Sequence, residues 1–318
     1  MVLILGAAAA SLIGWTLVGR WARGWIPALA LGFPAGVAAL SLQMLVYSML
    51  RLPWHPALLL LPWAPLCYLR LRGAERFRRP AAPNWIEWLA LAAMAPVLWA
   101  WLSYERVMPL TTRGWDAWAI WLFKARAFYL DGQIASFLGR AGEFTVQPSY
   151  PLLVPLFGAF VYRLAGAPVD HLAKAISPCF FLALLGSFYW LGRRAAPRPV
   201  ALVFTAMLAN LHMVDIVAFE LAGYADTALS VYMLIGAGFL YAWLRDDQPG
   251  DLWMASLFSS MAAWTKNEGL FFLAGAGVVA ALRLGRRRAR DPRCSSCPGS
   301  WRGNSTASPG RTCWPAVR

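Results

Sequence analysis

Apolar residues fall along this chain in blocks of roughly 20, separated by short joints rich in arginine, proline and glycine. That block length matches a helix crossing the hydrocarbon core of a bilayer, about 30 Å thick. The runs and their flanks predict helices near residues 2–19, 26–50, 56–71 and 85–103. A polar stretch from 104 to 150 follows, and then helices near 172–191, 199–217, 226–244, 252–264 and 268–283. Segment 151–166 is shorter and holds Pro151 and Pro155, so it reads as a helix dipping into one leaflet without crossing. The expected fold class is all-α: a polytopic transmembrane helical bundle of about nine spans, with a juxtamembrane amphipathic helix in the long loop.

Composition agrees with this pattern. Of the 318 residues, 59% are hydrophobic, against roughly 45–50% in soluble domains, and the mean hydropathy is +0.51. The net charge of +14 would suggest nucleic acid if the basic residues shared an exposed patch, but here they punctuate apolar runs. Arg70, Arg72, Arg76, Arg78 and Arg79 face only Glu75 in one joint, and Arg193, Arg194 and Arg198 cluster in another. Such joints stay on the cytoplasmic side, which puts loop 104–150 on the opposite face and leaves no nucleic-acid partner to expect. Arg20 and Arg23 come after the first apolar run, which predicts an uncleaved first helix with its N-terminus outside.

Residues 285–318 lose the apolar period and become rich in Arg, Ser, Pro and Gly, as in a disordered tail or a frameshifted, truncated reading frame. The organisation is then 1–84, N-terminal helices and a basic loop; 85–283, a membrane module carrying the external loop; and 284–318, the tail. Cys294 and Cys297 form one CxxC without a second pair, and His212 and Asp215 lack a third ligand, so neither a metal nor a cofactor is expected. No internal repeat of broken helices is evident, and Glu87, Lys174 and Asp215 sit at helix ends; both features argue against a transporter.

Within the loop, RGWDAWAIWLFKARAFYLDG runs from Arg113 to Gly132. At 100° per residue, Trp115, Trp118, Trp121, Leu122, Ala125, Phe128 and Tyr129 share a broad face suited to lipid. Asp116, Ile120, Phe123 and Ala127 share the other, beside Lys124 and Arg126. Asp116 has two readings: an N-terminal acid that suits the helix dipole, or a carboxylate within reach of a lipid head group, able to take a proton from an acceptor hydroxyl. Asp226 opens a later helix, and Lys266 lies in a turn on the same face.

Three blocks, in this order, resemble the multi-spanning glycosyltransferases that use polyprenyl-phosphate-linked sugars, the GT-C superfamily with its protein O-mannosyltransferase and aminoarabinose-transferase relatives. They are GWDAWAIW (Gly114–Trp121), SYPLLVPL (Ser149–Leu156), and GYADTALSVYML (Gly223–Leu234) paired with AWTKNEGL (Ala263–Leu270). The resemblance implies a multi-pass protein of the cell (inner) membrane, active on its extracytoplasmic face. It would transfer a sugar from a polyprenyl-phosphate donor to a glycan, lipid or protein acceptor. Asp116 would be the catalytic base, and Asp226, Lys266, Arg126, Lys124 and Tyr150 would line the substrate site. The chain departs from the family in having Ala117 where the mannosyl branch has a second acid, and Tyr150 where the aminoarabinose branch has lysine. The alternatives are a polytopic transporter or flippase of a lipid-linked intermediate, and an inactive truncated remnant.

Overall fold

A computed structural model describes residues 2–21, 24–73, 82–107, 114–135, 137, 147–211 and 222–290, with side chains for all but 100–107 and 288–290. The chain divides into two compact units, Met1–Val278 and Val279–Arg318. Of the second, residues 279–290 are described, and they are helical. The described residues form helices joined by turns, with no strand among them.

The first pair is α1 (Val2–Val18) and α2 (Trp25–Met49). They pack closely because small residues meet: a Cβ on Gly14 would strike the Gly32 carbonyl, and one on Gly36 the Ala10 carbonyl. Gly32 and Gly36 are four apart on one face of α2, the spacing that lets two apolar helices bring their backbones together without a hydrophobic driving force. Pro34 has no N–H to meet the Ala30 carbonyl in α2, and that carbonyl accepts instead from Ser187 Oγ at 3.3 Å; the Pro34 carbonyl also accepts from Tyr232 Oη at 2.8 Å. The predicted helix 56–71 is broken into α3 (Pro56–Leu60), a 3₁₀ turn (Leu61–Trp63) and α4 (Ala64–Arg72). Pro62 and Pro65 each remove a donor there.

Next come α5 (Trp85–Val107), a π-helical turn (Ala117–Trp121) running into α6 (Leu122–Asp131), and α7 (Leu153–Ala165). Then follow α8 (Asp170–Lys174), α9 (Ile176–Gly192), α10 (Arg198–Ala209), α11 (Asp226–Asp246), α12 (Pro249–Thr265) and α13 (Glu268–Arg290). The core gathers Phe33, Phe157, Phe180 and Tyr232, with Phe33 edge-on to Phe180 at 5.1 Å. The short α7 is buried from Leu153 to Tyr162, apart from Val154. Its first turn touches α2, where Ser41 Oγ donates to the Leu153 carbonyl at 2.9 Å, and its last turn touches α1, where Leu164 lies against Gly6.

Among the described residues, four helical stretches are long and apolar enough to cross a membrane: Trp25–Met49, Asp170–Gly192, Asp226–Asp246 and Glu268–Arg287. They are compatible with a membrane protein. The other apolar helices, Val2–Val18, Trp85–Trp99, Leu153–Ala165 and Arg198–Ala209, are shorter. The described residues thus supply four candidate spans by length and composition, and the expected nine are not confirmed.

The two ends of the bundle differ in character. At the C-terminal end of α11 and the N-terminal end of α12, Arg194 grips Asp251 with two hydrogen bonds of 3.2 and 2.8 Å. Glu87, buried at the start of α5, pairs with Arg198 at 2.8 Å. The opposite ends of α11 and α12, about 31 and 25 Å away along the helices, carry Asp226 and Lys266.

Candidate functional site

Asp116, Tyr224, Asp226 and Lys266 come together at that far end. Asp226 is the first residue of α11, and Lys266 follows α12 in extended backbone, with φ −157° and ψ 154°. The break in helix at Lys266 turns its side chain back onto α11, where Nζ donates to Asp226 Oδ1 at 2.9 Å. Glu268 adds a second ion pair at 3.3 Å. An ammonium has three donors, so these partners leave one hydrogen uncommitted. Burial works against the Lys266 charge, but the Asp226 hydrogen bond and the Asp226 and Glu268 charges outweigh it and hold the pKa above the ordinary lysine value.

Asp116 enters this cluster from the long loop. Its backbone N–H donates to Tyr224 Oη at 3.2 Å, which ties the loop to the residue two before Asp226. The carboxylate itself makes no capping bond, and it accepts no hydrogen bond among the described residues. Partial burial raises its pKa above the ordinary carboxylate value, the Lys266 charge pulls it down, and the Asp226 charge pushes it up again. Asp116 is thus a half-buried acid of raised basicity without a hydrogen-bond partner for its carboxylate among the described residues, beside a lysine–carboxylate pair. Tyr224 is also held above the ordinary phenol value, chiefly by burial.

The other loop candidates hold structure. Lys124 is buried, and Nζ donates to the carbonyls of Gln147 at 2.7 Å and Tyr150 at 3.3 Å. Burial without a carboxylate pulls its pKa down to about 8. Tyr150 stacks on Trp121, with ring centroids 5.4 Å apart, and Trp121 packs against Ala225, next to Asp226. Tyr150 therefore supports the wall of the site through Trp121. Arg126 points elsewhere and pairs with Asp170 at 3.0 Å.

The loop helix turns a different face inward from the one expected. Trp121, Leu122, Ala125 and Phe128, assigned above to lipid, are buried, whereas Trp115, Trp118 and Phe123 are exposed. The π turn at Ala117–Trp121 widens the helix and advances the register, and α7 supplies the apolar surface against which Ala125 packs.

Three residues near the site were given no role by the sequence. Tyr224 lies inside a quoted block, but nothing marked its hydroxyl as the anchor for Asp116. Lys174 was set aside as a helix-end charge; it is buried, and its Cγ lies 3.5 Å from where a Gly223 Cβ would sit. Gly223 itself has φ +94°, and a Cβ there would come within 2.9 Å of the Ala117 Cβ, so a glycine is what lets α11 approach the loop. Its N–H donates to Ser177 Oγ at 2.7 Å. Only the run Gly223-Tyr224-Ala225-Asp226, a turn ahead of a helix, hinted at these contacts.

The pairing of His212 with Asp215, the Cys294–Cys297 motif and the tail from residue 291 lie outside the described residues, whereas residues 284–290, read above as part of the tail, continue the helix α13. Among the described residues, no three His, Cys, Asp or Glu side chains group as metal ligands would. Comparison of the chain with protein-family models, with curated proteins and with solved structures gives no match.

Proposed function

We propose that this chain is a membrane glycosyltransferase that moves a sugar from a polyprenyl-phosphate carrier to an acceptor on the extracytoplasmic face, with Asp116 as the general base. One observation carries the reading: the Asp116 carboxylate, unpartnered among the described residues, stands beside the Lys266–Asp226 pair, although the three residues come from segments far apart in the chain. Those segments are the blocks whose order resembles the polyprenyl-phosphate-dependent enzymes.

The chemistry follows from the charges. An acceptor hydroxyl or amine attacks the anomeric carbon, and its proton passes to the Asp116 carboxylate. The bond from that carbon to the phosphate oxygen breaks, and its electron pair leaves with the polyprenyl phosphate. Glycosidases need a second carboxyl as acid because their leaving group is an alkoxide. A phosphate carries its charge without protonation, so the free donor of Lys266 can stabilise it instead. Asp226 and Glu268 fix where that ammonium stands.

Asp116→Asn tests this reading in membranes supplied with radiolabelled polyprenyl-phosphate sugars, following carrier release. Turnover should fall about 10²–10⁴-fold, the usual cost of losing a general base, while expression stays unchanged. Unaltered turnover would remove Asp116 from the role. Carrier movement across the bilayer without sugar release would assign the chain to transport.

A further inference from the structure

A groove of about 820 Å³ runs between α1, α2, α12 and the Leu61–Trp63 turn, on a part of the molecule that the proposed reaction does not use. Its walls are apolar, among them Ala35, Ala38, Leu42, Met254, Leu257 and Met261. Leu42 and Leu257 are exposed, so the groove opens along the side of the bundle. Tryptophans bound it at both ends. Trp21 and Trp253 stand at one, and at the other are Trp264 and Trp63, whose Nε1 donates to Gln43 Oε1 at 2.7 Å. From Trp253 to Trp264 the helix rises about 16 Å, close to half of a hydrocarbon core of about 30 Å. The groove thus has the length of one leaflet's acyl chain.

Its two ends are unequal in charge. At the Trp21 end, the Arg20 guanidinium lies 3.6 Å from the Trp21 ring, and Arg70 reaches the same end of α1 beside Gly19, over Trp15 at 5.1 Å. Neither arginine has a carboxylate partner among the described residues, and Arg70 Nε is buried without an acceptor. Described carboxylates of that end have other partners: Asp251 is met by Arg194, Asp246 by Arg245 and Arg194, and Glu87 by Arg198. Beyond Trp264, by contrast, Lys266 is already met by Asp226 and Glu268.

We propose that the groove holds one acyl chain of an acidic phospholipid whose phosphate rests on Arg20 and Arg70. Charge complementarity fixes the orientation, with the head at the uncompensated arginines and the chain running towards Trp264. The site is independent of the transferase reading, because it requires neither Asp116 nor a sugar donor.

The test uses the full chain in detergent, offered equimolar dioleoyl phosphatidylglycerol and dioleoyl phosphatidylcholine, with retained lipid weighed by native mass spectrometry. Phosphatidylglycerol should be preferred by roughly fivefold for each arginine it meets. Arg20→Gln, a change at an exposed side chain, should cut that preference about fivefold. Equal retention of the two lipids, or a preference untouched by Arg20→Gln, would overturn the site. A phosphatidylglycerol with a photoreactive acyl chain should mark peptides covering 35–46 and 253–264, and Leu42→Trp, which fills the groove from its rim, should abolish the marking. Marking confined to other peptides, or displacement of the lipid by equimolar polyprenyl phosphate, would also overturn it.

Discussion

Asp116 owes its character to two neighbours of opposite sign, and these can be separated. Burial and Asp226 raise its pKa while Lys266 lowers it, so Lys266→Met should raise it further. The acid limb of the rate profile should then move to higher pH, beside a loss of turnover from the missing cation. A limb that stays in place would show that Asp116 is not the titrating base. Tyr224→Phe removes the acceptor of the Asp116 N–H, worth about 0.5–1.5 kcal/mol as an ordinary hydrogen bond. Turnover should drop several-fold with the pH profile unchanged. Lys124 gives a stability signature instead. Its folded pKa of about 8 lies below the ordinary 10.5, so between these values the unfolded chain binds the extra proton, and stability rises with pH. Thermal unfolding from pH 8 to 10 should show this rise, and Lys124→Met should flatten it.

The elements show which parts of the fold could be read from the chain and which could not. Helix existence followed from the apolar period, as in Trp25–Met49 and Asp226–Asp246, because burial of a continuous apolar run leaves few alternatives. The segment of α7 stood apart by its shortness and prolines, and it is buried against α1, α2 and α6; crossing by the longer apolar runs was harder to read from hydropathy. The inward face of the loop helix was misjudged because a π turn shifts register without any sequence mark. Asp116, Asp226 and Lys266 were legible as acids and a base at helix ends on one side. The anchor at Tyr224 was not, because a contact between residues 108 apart in sequence leaves no local pattern. The α1–α2 pair is a place where one side chain decides. Gly36→Leu puts a branched side chain against the Ala10 carbonyl, and overpacking of this kind costs about 1–3 kcal/mol or more. A lowered unfolding midpoint in detergent checks it; an unchanged midpoint would mean that the pair is not closely packed.

At the scale of the molecule, α11 and α12 separate an arginine-rich end from the end that holds Asp116 and Lys266. If these helices stand across a bilayer, the ends face different compartments. Ala195→Cys and Gln147→Cys, both at exposed positions, should react with a membrane-impermeant thiol reagent from opposite sides, Ala195→Cys from the cytoplasm. Reaction of both from one side would undo that arrangement. The three-segment origin of the site also bears on how the protein is made. Synthesis runs from the N-terminus, so a ribosome that has delivered α11 has already exposed Asp116, Tyr224 and Asp226, yet the lysine that pairs with Asp226 has still to be translated. Until the turn after α12 emerges, two neighbouring carboxylates stand without their shared cation. The nascent chain therefore carries an unbalanced pair of acids just before α13, and a stall there would hold it in that state.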